Sequence, residues 1–283
     1  MRWLIGLAGL LAVGAAPAPR TIAPTTFVEW KAENGPRTFR SGDVTVRAAI
    51  SGKDGDSPPV FTISAPGIPP IRLSNDDAIA HSASSIAIGP LVRGAPASVI
   101  VQTYSGGAHC CMHIAVALRE GKTFKLVDMG NWDGDGVAWP TDITGDDVAD
   151  FQFVDNTFLY AFGSYAGSYP PPLIINIRDG KPIDVSHEPA FRPLFEKDLI
   201  GARKACLAKD EPNGGACAAW AADAARLGRF EAVWPQVMKA YDQGVSEWPV
   251  SCSESPRPTP CFSGYPNALI AFLVDRGYLQ LPE

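Results

Sequence analysis

The chain has 283 residues, 46% of them apolar, which is core material for one large or two small domains. Lys and Arg number 24 against 30 Asp and Glu, a net charge of −6, and no basic stripe or Lys/Arg cluster appears, so nucleic acid and anionic lipid have no place among its partners. Six cysteines form an even set, and 27 Gly with 26 Pro promise many turns.

"MRWLIGLAGLLAVGAAPAPR" carries one basic residue, an apolar run from Trp3 to Ala16, then small residues and prolines. This is the three-part layout of a secretory leader, and the run is short for a membrane span. Val13-Gly14-Ala15 fits the small-x-small cleavage rule, so residues 1–15 are expected to be a signal peptide. The expectation that follows is a periplasmic or secreted protein with no transmembrane span in its mature form, in a compartment where cysteines pair.

From Phe27 to Val185 the chain reads as short pieces such as "VTVRAAI", "PVFTIS", "SVIVQTY", "HIAVAL" and "FQFVD", divided by Gly, Pro, Asn and Asp. Apolar and polar residues alternate and no long helical pattern intervenes, which predicts antiparallel strands over residues 24–191, as sandwich or degenerate blade-like units. Asp179-Gly180 is a hairpin signal.

"TYSGGAHCCMH", residues 103–113, sets adjacent cysteines between two histidines. Four readings compete: a vicinal Cys110–Cys111 disulfide, pairing with distant cysteines, a copper or zinc site built on His109, Cys110, Cys111, Met112 and His113, and a catalytic thiol. The vicinal disulfide leads, because neighbouring side chains of an extended chain point to opposite sides and close poorly on one ion. The preceding glycines also permit a tight turn.

"DITGDDVAD", Asp142 to Asp150, places carboxylates first, fifth and ninth, with a hydroxyl third, a turn-forming Gly145, and the strand "FQFV" next. Asp142, Thr144, Asp146, the Val148 carbonyl and Asp150 are expected to converge on Ca²⁺. The stretch resembles the loop of FG-GAP/VCBS, integrin-α-like, repeats, in which calcium pins a turn between strands of a blade. Thr144 and Asp147 depart from that pattern, which implies modest affinity. Residues 90–101 echo residues 142–153, with Leu91 over Ile143 and Val99 over Phe151, an offset of 52 residues.

"TFLYAFGSYAGSYPPP" contributes Tyr160, Phe162, Tyr165 and Tyr169 as a candidate ligand surface. Together with "YSGGAHCC" and the acidic loop it resembles a group of exported proteobacterial proteins over residues 85–180, a resemblance that implies no activity.

After "HEPAFRP" the chain turns rich in Ala and Leu with spacings of three and four, so residues 192–283 are predicted to form a small helical domain. Cys206 with Cys217 and Cys252 with Cys261 are the expected staples. The fold class is therefore α+β, an antiparallel β-rich part followed by a disulfide-stapled helical part. No nucleophile elbow, His-Glu-x-x-His helix, phosphate loop or dinucleotide fingerprint is present. The function expected is an exported, calcium-stabilised binding or structural protein of the cell envelope, whose partner is a protein, peptide or glycan. The alternatives are an envelope hydrolase, a thiol oxidoreductase using Cys110 and Cys111, and a copper-handling protein.

Overall fold

The computed structural model describes residues 25–52, 57–108, 110–134, 136–208, 213–241 and 264–280. The leader-like residues 1–15, His109, Cys252 and Cys261 lie outside this set, and with them the second expected staple.

Among the described residues twelve strands form three antiparallel sheets, and four helices follow, so the fold is α+β. The central sheet has the order β1 (Val28–Trp30), β6 (Ser84–Gly89), β7 (Ser98–Tyr104), β8 (Met112–Glu120) and β9 (Thr123–Trp132). On one side lies the meander β2 (Arg37–Ser41), β3 (Val44–Ile50), β4 (Pro59–Ala65) and β5 (Ile68–Ser74). On the other lies a sheet of β10 (Phe151–Val154), β11 (Pro172–Arg178) and β12 (Lys181–Asp184).

The sequence of the central strands states this stacking. Successive side chains of a strand face opposite sides. Ile86, Ile88, Val99, Val101, Ala115 and Ala117 pack with Phe39, Val46, Phe61 and Ile63 of the four-stranded sheet. The intervening Ala87, Ile100, Ile114 and Val116 pack with Phe151, Phe153 and Ile175 of the three-stranded sheet. Both faces are covered, which is why β7 runs Val-Ile-Val without a polar break.

Turn chemistry sets the registers. Asp179 (φ 53) and Gly180 (φ 66) are both left-handed, as the tight turn between β11 and β12 requires. Gln102, 3% exposed on β7, fastens the loop ahead of the acidic segment: its Nε2 donates to Val137 O at 2.8 Å and its Oε1 accepts from Val137 N at 2.8 Å.

The helices are α1 (Arg192–Cys206), α2 (Gly214–Arg226), α3 (Phe230–Ala240) and α4 (Tyr265–Asp275). α2, "GGACAAWAADAAR", is the central one, buried over its first eleven residues because its small side chains let neighbours approach from every side. Cys206 at the end of α1 is joined to Cys217 in α2, a short-loop staple worth about 3 kcal/mol on the chain-entropy model.

The helical core reaches back into the preceding segment. Phe158 and Phe162 belong to it, packed against Phe272, Tyr278 and Tyr265. Phe162, expected on a ligand surface, is 3% exposed and fills this core instead. The reason is local: residues 156–158 form a 3-10 turn rather than a strand, so the aromatic residues do not alternate between two faces. Tyr278 Oη donates to Asp155 Oδ2 at 2.7 Å, and Asp155 Oδ1 accepts from Thr157 N at 3.0 Å, fastening the start of this segment.

Where the segment crosses α2, a Cβ on Gly215 would collide with the Gly167 carbonyl oxygen and stand 2.9 Å from the Cα of Ser168. The obstruction is backbone on both sides. Gly215→Ala is expected to lower the stability to urea unfolding by about 1–3 kcal/mol, the usual cost of overpacking; an unchanged midpoint would show that this crossing is loose.

Candidate functional site

The acidic loop is organised around Asp142, which is 0% exposed. Its Oδ1 accepts from Gly145 N at 2.6 Å and Asp146 N at 3.0 Å, and its Oδ2 accepts from Asp147 N at 3.0 Å. This ring of amides needs left-handed backbone, and Gly145 (φ 80) and Asp147 (φ 69) supply it. Arg93 adds a positive charge, paired with Asp147 and with its Nη2 3.9 Å from Asp142 Oδ2. Arg93 comes from the segment that echoes this loop in sequence, and the two copies pair through Val92 and Val148.

Asp150, 1% exposed, accepts from Ile143 N at 2.7 Å and Asn176 Nδ2 at 2.7 Å. Burial pushes its carboxyl above the ordinary range despite these two donors, and the charges of Asp146 and Asp142 push the same way. Asp146 is exposed and turns its Oδ1 onto Val148 N at 3.0 Å. Among the described residues no three His, Cys, Asp or Glu side chains gather as a metal-holding group. The oxygen donors suit a hard cation in kind, with Thr144 Oγ1 buried and without a hydrogen-bond partner, but Asp146 stands outside the circle in this arrangement.

Beside the loop opens a cleft of about 1210 Å³ between the three-stranded sheet and α1. Trp132, Phe153, Thr144, Asn156, Lys197 and Asp198 are among its lining residues. Trp132 stacks on Phe153 with centroids 3.9 Å apart, and its Nε1 donates to Met129 O at 2.7 Å. Thr144 Oγ1 and Asn156 Oδ1, both on lining residues, are buried and meet no hydrogen-bond partner. Unpaired buried polar atoms are uncommon, and each costs about 1–3 kcal/mol. Both atoms lie behind the cleft wall rather than on its surface.

The cleft floor holds a carboxyl pair. Asp198 on α1 accepts from Tyr169 Oη at 3.3 Å. Behind it Asp223 on α2 is 0% exposed, and neither of its oxygens meets a donor. The Asp198 carboxyl, whose Oδ2 is also buried without a donor, lies within hydrogen-bonding reach of it. An acid buried this deeply beside a second carboxyl favours its protonated form, in which it can donate to Asp198. Burial drives the Asp223 carboxyl well above the ordinary range, the Asp198 charge adds to this, and Arg226 opposes it. Burial and the same pair push the Tyr169 hydroxyl up to about 12.

Of the expected aromatic surface, Tyr160 and Tyr165 stay together with ring centroids 5.6 Å apart, Tyr165 donating to Asp133 Oδ1 at 2.8 Å, and Tyr169 lines the cleft and donates to Asp198 Oδ1 at 3.3 Å, while Phe162 is withdrawn into the core. Cys110 and Cys111 are joined to each other, and His113 pairs with Asp128 Oδ1 at 3.0 Å, so these sulfurs and this imidazole are already engaged. Sequence reading passed over Asp198 and Asp223. The first looks like a solvated charge on an amphipathic helix; the second, a lone acid among alanines, is the anomaly that could have revealed the pair.

Residues 196–277 match the family described as the sll0997 C-terminal domain, a stretch that includes both carboxyls of the pair and the Cys206–Cys217 staple. Two curated relatives extend further. The "Probable thylakoid lumen protein sll0997" of Synechocystis sp. is 34% identical over 194 residues, 65% of this chain and 57% of that protein. The "Uncharacterized protein y4bJ" of Sinorhizobium fredii is 31% identical over 192 residues, 64% of this chain and 30% of that one. The chain thus spans little more than half of the first relative and under a third of the second. No solved structure matches.

The carboxyl pair has a stability signature. A buried acid with a raised value contributes fully below about pH 4, where the unfolded chain also holds that proton, and loses its contribution as pH rises toward the folded-state value. Asp223→Asn keeps this position neutral throughout. The melting temperature of the variant relative to wild type should therefore climb as pH rises above about 4; parallel melting curves from acid to neutral pH would dismiss the raised Asp223 carboxyl.

Proposed function

We propose that the protein is an exported binding protein of the cell envelope, periplasmic or secreted, that holds a ligand in the cleft between the three-stranded sheet and α1. The carrying observation is the cleft itself, about 1210 Å³ and walled by the Trp132–Phe153 stack, with Lys197 and Asp198 on its lining. Export is supported by the leader-like N-terminus, by two disulfides among the described residues, and by the name of the Synechocystis relative, a probable thylakoid lumen protein. Among the described residues no helix is long and apolar enough to cross a membrane.

The test is thermal denaturation of the mature protein against a panel of cell-wall peptides, saccharides and small metabolites. A ligand of the folded state present at 100 times its dissociation constant adds about 2.7 kcal/mol and raises the melting temperature. Ala190→Trp, an exposed position on the cleft wall, fills the cleft without touching the core and should remove that rise. A panel with no stabilising member, or a rise that survives Ala190→Trp, would refute this function.

A second reading, calcium as a clip on the acidic loop, is favoured by the Asp150 carboxyl, buried and pressed by the charges of Asp146 and Asp142. Asp142, Thr144, Asp146, Val148 and Asp150 would hold the ion, which would supply the positive charge that Arg93 now provides alone at Asp142. Calcium should raise the melting temperature of wild type and leave Asp146→Ala unchanged. Identical melts in calcium and in chelator would eliminate the clip.

A further inference from the structure

The class of ligand can be read from the cleft walls, given the proposal above that the cleft is the binding site. At about 1210 Å³ the cleft exceeds the 300–1,000 Å³ usual for one small molecule, so it suits a chain of several units. Its aromatic element is fixed in advance: the Trp132 indole is pressed flat on Phe153 at 14° and pinned by its bond to Met129 O at 2.7 Å. A ring with an apolar face can lie against such a wall without the wall having to order itself.

Charge narrows the choice. Asp133 and Asp198 line the cleft together with Lys197. A polyanion would meet the two aspartates, and a polyamine would meet the lysine, while Asp133 already accepts the Tyr165 hydroxyl at 2.8 Å. A neutral ligand with many hydroxyls suffers neither penalty, because each hydroxyl both donates and accepts. Its donors answer the Asp133 and Asp198 carboxyls that line the cleft. Its acceptors answer the Lys197 ammonium. Asp223 is too deep to touch a ligand and acts as a positioning residue behind Asp198.

We infer that the cleft binds a neutral saccharide chain, one sugar ring lying on Trp132 and its hydroxyls meeting Lys197 and Asp198. Cellulose-, starch- and chitin-type tetrasaccharides, each titrated calorimetrically into the mature protein, test this, with spermidine and citrate as the charged controls. At least one tetrasaccharide should bind, more tightly than its monosaccharide. Trp132→Ala should weaken it tenfold or more, and Lys197→Ala, on the exposed side of α1 where folding is not at risk, several-fold. Ala190→Trp should abolish it. Binding of spermidine or citrate in place of every saccharide, if blocked by Ala190→Trp, overturns the saccharide assignment and leaves the cleft as a binding site. Saccharide binding indifferent to Ala190→Trp and Lys197→Ala places the sugar elsewhere and overturns the inference. Silence from all five probes, with a ligand of another class found in the wider panel, overturns the saccharide alone; silence from that panel as well removes the binding function too.

Discussion

Burial of the central sheet on both faces is the constraint from which the rest of the structure follows. Ile86, Val99 and Ala115 face one neighbouring sheet while Ala87, Ile100 and Ile114 face the other. A one-residue slip of β7 would exchange its two faces, and the larger and smaller neighbours on either side would no longer match. Fixing that register fixes where β9 ends, and Trp132 is its last residue. The three-stranded sheet then stacks Phe153 on Trp132, and the edge of the cleft is set.

The acidic loop and the cleft handle polar burial in opposite ways. Around Asp142 each carboxylate oxygen is met by backbone amides, with Arg93 nearby, so the charge is balanced within the loop. Across the cleft, hydroxyl, amide and carboxyl oxygens are left without donors. The loop is thus held by its own amides, and its buried oxygen without a hydrogen-bond partner, Thr144 Oγ1, lies on the side toward the cleft.

How much of this was legible in the sequence depends on how local the signal was. The antiparallel strands and the alanine-rich helices follow from periodicity, and the α+β class with its Cys206–Cys217 bond could be read directly. Within residues 158–169 the burial of Phe158 and Phe162 was not legible, because aromatic density looks alike whether or not it is buried; only their tertiary packing against Tyr278 and Tyr265 decides. Asp198 and Asp223 stand 25 positions apart on separate helices, and nothing local announces that they face each other. The cleft itself is built from β9, the acidic loop, the segment after β10 and α1, so no single stretch of sequence could describe it.

The wedge of Phe158 and Phe162 in the helical core carries an implication for how such chains diversify. Stretches matching the sll0997 C-terminal domain begin here at residue 196, yet the hydrophobic interior they enclose is completed by side chains that precede it. Gene fusion that transplanted these helices onto an unrelated partner would leave an unfilled hollow between Tyr265, Phe272 and Tyr278. The helices therefore depend on the segment from Asp155 to Phe162, and a host that lacks it must bring its own plug.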